Sequence, residues 1–121
     1  MNLIEELDRM FETRELRDGA CVCAFVPSDS FSGFRGHFPG DPVLPGVIQI
    51  LMARRLAELA SGRRLVLKRC VRIKFVRPLR PCTPAELRIR TDDSFRTLDA
   101  EIAAQGMRIS TAKLELEEAE A

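Results

Sequence analysis

The stretch Phe31 to Gly46 carries Gly33, Gly36, Pro39, Gly40, Pro42, Pro45 and Gly46, and it excludes regular structure there. Its three prolines remove backbone donors and fix their own φ. Its glycines admit conformations that other residues resist. Phe31, Phe34, Phe38, Val43 and Leu44 give it much apolar surface to bury, so it reads as a stiff, shaped loop rather than a linker. Directly after it, Gly46 or Val47 to Ala60 reads as a helix with only a narrow polar stripe. A helix this apolar needs protein on most of its circumference. Pro45 suits its start and Ser61-Gly62 its end.

Around that pair the chain alternates in character. Leu3, Ile4, Leu7, Met10 and Phe11 have helical spacing, predicting a helix over Leu3 to Thr13. Arg17-Asp18-Gly19 is a turn signal, and Ala20 to Val26 is an apolar run short enough for a strand buried on both faces. Beyond the central helix, period-two patterns dominate. Val71, Ile73 and Phe75 oppose Arg72 and Lys74, Leu87 and Ile89 alternate with charges, and so do Leu98, Ala100, Ile102 and Ala104. Asp92-Asp93-Ser94 and Gln105-Gly106 read as turns between them. In the final run Met107 and Ile109 are odd-numbered, whereas Leu114 and Leu116 are even. Such a phase change requires an extra residue, so a bulge is expected between Ser110 and Lys113, with fraying from Glu117. With 121 residues, the chain suits one domain, residues 1–121. The expected architecture is α+β, one apolar helix wrapped by a mostly antiparallel sheet.

Composition excludes several functions. Charged residues make up 31% and the net charge is +1, while Trp and Tyr are absent, which argues against nucleic acid. The chain has no apolar run long enough to cross a membrane. The acidic beginning Asn2-Leu3-Ile4-Glu5-Glu6 differs from a secretory leader, so the expected setting is the cytoplasm. Cys21, Cys23, Cys70 and Cys82 lack zinc-ligand spacing, even with His37 added, and read as buried free thiols in a reducing compartment. No metal and no cofactor are expected.

The run Gly36-His37-Phe38-Pro39-Gly40-Asp41-Pro42-Val43-Leu44-Pro45-Gly46-Val47 resembles the signature of the beta-hydroxyacyl-ACP dehydratases of the FabA/FabZ type. Ile73-Lys74-Phe75-Val76-Arg77-Pro78, followed by Pro81, resembles the strand after that family's central helix. The resemblance implies a hotdog fold and a dimer with sites at the subunit interface. It implies lyase chemistry on 3-hydroxyacyl thioesters in fatty-acid or polyketide-type synthesis, carried on acyl carrier protein or CoA. His37 stands at the family's base for the C2 proton, and the backbone N–H of Gly46 at its carbonyl-binding position. Physical chemistry favours both roles. A helix N-terminus offers unpaired N–H groups to a developing oxyanion, and histidine titrates near neutrality.

The family's catalytic Glu or Asp lies fourteen residues after the histidine, and here that position is Leu51. Leucine donates no proton, and a placed general acid contributes roughly 10²–10⁴-fold. Glu58 lies two helical turns on, Asp41 sits at a variable loop position, and Gln49 points about 160° around the helix from Leu51. The open readings are a slowed dehydratase, one subunit of a heterodimer whose partner brings the acid, and a non-catalytic acyl-thioester binder. An enoyl-thioester isomerase and a hotdog thioesterase are further variants.

One more feature stands out. Between Leu59 and Ala85 no residue is acidic, while Arg63, Arg64, Lys68, Arg69, Arg72 and Lys74 fall within that span. They form either a solvated strand face balanced by the acidic tail or a landing surface for an acidic carrier protein.

Overall fold

A computed structural model describes residues 1–35 and 40–120. Helix α1 (Leu3–Met10) is followed by strands β1 (Phe11–Arg17) and β2 (Ala20–Phe25). A single 3-10 turn at Ser32–Phe34 and the shaped loop lead into helix α2 (Gly46–Ser61). The remaining strands are β3 (Leu65–Phe75), β4 (Ala85–Arg90), β5 (Thr97–Ala104) and β6 (Met107–Glu118). They form one six-stranded antiparallel sheet in the order β1-β2-β4-β5-β6-β3. That is the α+β, helix-in-sheet arrangement of a hotdog domain.

Helix α2 supplies the core's spine. Ile48, Met52, Ala53, Leu56 and Ala57 are buried against Leu87, Ile89, Leu98, Ile102 and Leu114 of the sheet. These positions follow a 3.6-residue period on the helix and a period of two on the strands. Gly62 ends the helix in the left-handed conformation, φ 72°, with its N–H donating to Glu58 O at 2.9 Å. Gly is the residue that takes this backbone cheaply.

Several boundaries differ from the sequence pattern. The first helix stops at Met10, and the chain continues as β1 instead of running helical to Thr13. Six of the seven β1 residues are exposed, so only backbone pairing with β2 makes it a strand. The bulge in β6 sits at Ile109, because Ile102 pairs with Ser110 but Ala103 pairs with Arg108. Ile109 and Ser110 are therefore both buried, one residue before the expected window. Pairing of Leu65 with Glu118 holds β6 beyond Glu117, where fraying was expected. Strand β3 carries register shifts after Leu67 and after Cys70, so Val71 leaves the alternation it shares in sequence with Ile73 and Phe75. Of the four free cysteines only Cys23 is fully buried, while Cys70 and Cys82 are exposed.

Candidate active site at the start of the central helix

Pro45 caps α2 with extended backbone, φ −63° and ψ 149°, and contributes no side-chain capping bond. Pro45 O accepts from both Ile48 N and Gln49 N at 3.1 Å. Gly46 N and Val47 N therefore head the helix without an intrahelical acceptor, as the first turn of any helix must. No acidic side chain lies in that turn to neutralise its positive end.

A groove of about 620 Å³ opens there, walled by Val43, Leu44, Gly46, Val47, Phe75 and Val76. The Phe75 ring lies over Gly46, and a Cβ on Gly46 would fall 2.3 Å from its Cζ. A side chain at position 46 would therefore require the Phe75 ring to move. The groove is mostly apolar, with Gln49 and Arg77 as its polar side chains, a setting in which backbone donors act strongly on a developing negative charge.

Three contacts hold the end of the shaped loop against this helix. Leu44 N donates to Leu79 O at 2.8 Å, and Gln49 Nε2 donates to Leu44 O at 3.1 Å. Arg80 clasps Asp41 through Nε at 2.9 Å and Nη2 at 3.3 Å. The Arg80 guanidinium holds the Asp41 carboxyl below the usual carboxylate range. On the near side of the loop, Ser32 donates to Glu6 through its N–H and its hydroxyl, tying the 3-10 turn to α1. His37 itself lies outside the described residues, between these two anchored flanks.

Leu51 projects half-buried from α2 and packs against the core. The carboxylates that sequence offers in its place are engaged elsewhere. Glu58 accepts from Arg55 Nη1 at 3.2 Å and from Leu65 N at 3.0 Å, and it pairs with Arg54 at 3.4 Å. Arg55 in turn grips Asp8 at 2.7 and 2.8 Å. This cluster is a brace joining α1, α2 and β3. Gln49 is buried, with its Oε1 unpaired among the described residues.

The basic stretch does not form one patch. Arg63 donates to Ser94 O and Asp93 O, stacks over the Phe95 ring at 5.7 Å, and shares a groove with Lys68 and Arg96. Arg69 pairs with Glu115 of the acidic tail. Arg72 lies on the outer sheet face with Arg88 and Arg90, beside Asp99 and Glu101. Lys74, opposite Thr111, and Arg64 are exposed. The neighbours Arg88 and Arg90 escape a linear reading, because three-strand neighbourhoods such as β4-β5-β6 are set by sheet order. No group of three His, Cys, Asp or Glu side chains able to hold a metal occurs among the described residues.

The sheet order and the central helix define a hotdog domain. A family model of the ApeI-like dehydratases matches residues 13–113, and the chain belongs to that family. Among solved structures, it is similar to the dehydratase heterocomplex ApeI:P from Xenorhabdus doucetiae, with 28% identity and a TM-score of 0.75 over 88% of this chain and 95% of that one. An uncharacterized protein from Erwinia carotovora subsp. atroseptica superposes with a TM-score of 0.72 at 22% identity, over 89% and 92% of the two chains. A hypothetical thioesterase with coenzyme A from Streptococcus pneumoniae shares the fold at 14% identity and a TM-score of 0.67, over 97% and 94%. No curated protein sequence matches the chain.

Proposed function

We propose that this chain is a (3R)-hydroxyacyl-thioester dehydratase subunit that supplies base and carbonyl site, while the proton for the departing hydroxyl comes from a partner chain. The observation that carries this reading is Leu51: half-buried and apolar at the acid position, with Glu58 and Asp41 committed to arginines. In this scheme Gly46 N–H holds the thioester carbonyl, and His37 takes the C2 proton. The C3–O bond then breaks, the C2=C3 bond forms, and hydroxide leaves as water after accepting the partner's proton. An acid in trans fits a family whose sites combine residues of two subunits. That a relative is a heterocomplex supports the same reading.

The partner's place is the β3 edge, one of the two edges of the open sheet. Among the described residues β3 pairs only with β6, and it exposes Val66, Leu67, Val71 and Phe75. An open edge with apolar side chains is a template for a further strand. The acyl group arrives on acyl carrier protein or CoA, and Arg63, Lys68 and Arg96, in a groove they share with Glu117 and Glu118, are the cations for its phosphate groups. The setting is the cytoplasm, where free thiols such as Cys70 and Cys82 stay reduced.

The test is hydration of a crotonyl thioester by the chain alone, and by the chain co-expressed with a hotdog homologue that bears Glu or Asp at the position of Leu51. The expected result is activity only in the mixture, abolished by His37→Ala in this chain. Full activity of the chain alone overturns the need for a partner's acid. A mixture that stays active with His37→Ala overturns the base assignment.

A further inference from the structure

Gln49 is a polar side chain where the fold otherwise places apolar ones. It is 7% exposed and stands on the buried face of α2 beside Ile48, Met52 and Ala53. Its Nε2 is occupied by Leu44 O, which fixes the carboxamide orientation and leaves Oε1 as a buried acceptor with no partner among the described residues. Buried polar atoms without partners are rare in folded proteins, and each asks for a ligand, a water or a role.

Two empty spaces share Gln49 as a wall. One is the open groove at Gly46 and Phe75. The other is a void of about 10 Å³ between α2 and the sheet, lined by Ile50, Ala53, Ile73, Ala100 and Ala112 among others. Three of its lining residues are alanines. Ala100 pairs with Ala112 on adjacent strands, and Ala53 lies above them. Gln49 is the residue that lines both the groove and the void.

We propose that Gln49 is the end wall of an acyl pocket and restricts this site to short acyl thioesters. The inference rests on the reading of Gly46 as the thioester-carbonyl site. Three residues along a helix advance about 4.5 Å, roughly three carbon–carbon bonds. An acyl chain held at Gly46 therefore meets Gln49 at about the length of a butanoyl group. A longer chain has to push its methylenes against an unpaired carbonyl oxygen, which gains nothing from them and loses access to any water. Replacing Gln49 by alanine removes the wall and joins the groove to the alanine-lined void.

The experiment is calorimetric titration of the full chain with the saturated, non-reacting thioesters butanoyl-CoA and octanoyl-CoA. Binding of these probes needs no catalytic acid, so it is independent of Leu51. The native chain is expected to bind butanoyl-CoA more tightly than octanoyl-CoA. Gln49→Ala is expected to move the ratio toward octanoyl-CoA by about tenfold or more, since each newly buried methylene contributes several-fold in affinity. Gln49→Met, which keeps the bulk but loses the bond to Leu44, is expected to retain the preference for the short chain. An unchanged ratio in Gln49→Ala, with both probes still bound, overturns the wall and leaves the thioester site standing. A Gln49→Met shift as large as that of alanine assigns the effect to loop anchoring and also overturns the wall. Failure of the native chain to bind either probe overturns the thioester site and the wall together.

Discussion

The Phe75 ring occupies the space into which a side chain on Gly46 would grow, with its Cζ 2.3 Å from the Cβ position. Strand β3 therefore covers Gly46 through this one ring and leaves the groove beside it open. Gly46→Ala forces one of the two to yield. Phe75 is 50% exposed, so the ring can swing outward, and the cost is expected at the low end of overpacking, about 1 kcal/mol. A thermal melt reads this as a fall of a few degrees. In the background of Phe75→Ala, the same Gly46→Ala change is expected to cost nothing further. An equal cost in both backgrounds places the strain elsewhere.

Leu51→Glu tests the missing acid directly. The new carboxyl stands one turn before Arg55 and beside Arg54, and Arg55 already serves Asp8 and Glu58. A gain in crotonyl-thioester hydration by the chain alone is expected, at the lower end of the roughly 10²–10⁴-fold worth of a general acid. Neighbouring guanidiniums favour the ionised carboxylate and so deplete the protonated form near neutrality. The rate of the variant should therefore rise as pH falls from the alkaline side toward neutrality. A pH–rate profile that is flat or rises toward alkaline pH contradicts this.

The central helix and its loop were legible because their signals are local. Gly and Pro positions, a 3.6-residue apolar period and a glycine stop need no knowledge of the rest of the chain. Strand β1 was not legible, since Glu12, Thr13, Arg14, Glu15 and Arg17 carry no apolar alternation and Phe11 continues the helical spacing of α1. Its strand character comes from β2. The bulge of β6 was foreseen only as a phase conflict and the irregularities of β3 not at all, because where an extra residue sits depends on which partner strand keeps its register. For the candidate site, the choice of His37, Gly46 and Leu51 rests on the resemblance to the dehydratase signature. The burial of Gln49 and the cover of Gly46 by Phe75 arise from contacts between segments distant in sequence.

The Asp41–Arg80 pair gives the loop a pH-dependent anchor. Asp41 is held below its ordinary value chiefly by the hydrogen bonds from Arg80. A depressed carboxyl stabilises the folded state above its unfolded pKa and loses that contribution as pH falls through its folded pKa. Asp41→Asn is expected to lower the melting temperature slightly near neutral pH. The difference from the native chain should vanish at acid pH, below the depressed value, and shrink in high salt because the pair is exposed. A difference that persists in acid shows that the pair acts through shape and not charge.

Thiol labelling maps the proposed partner edge. Burial, the largest cause, pushes the Cys23 thiol up to about 11, so Cys23 should resist a thiolate-directed reagent near pH 8 until the chain unfolds. Cys70 and Cys82 are exposed and should label rapidly in the isolated chain. They differ in place: Cys70 lies within the free edge strand β3, whereas Cys82 follows it in the connection to β4. If a second hotdog chain adds to that edge, Cys70 becomes shielded while Cys82 keeps its rate. Mass spectrometry of labelled peptides, with and without the acid-bearing partner, measures both sites at once. Equal labelling of Cys70 in the two samples removes β3 as the docking edge. Protection of Cys82 alone moves the contact to the β3–β4 connection, next to Asp41 and Arg80.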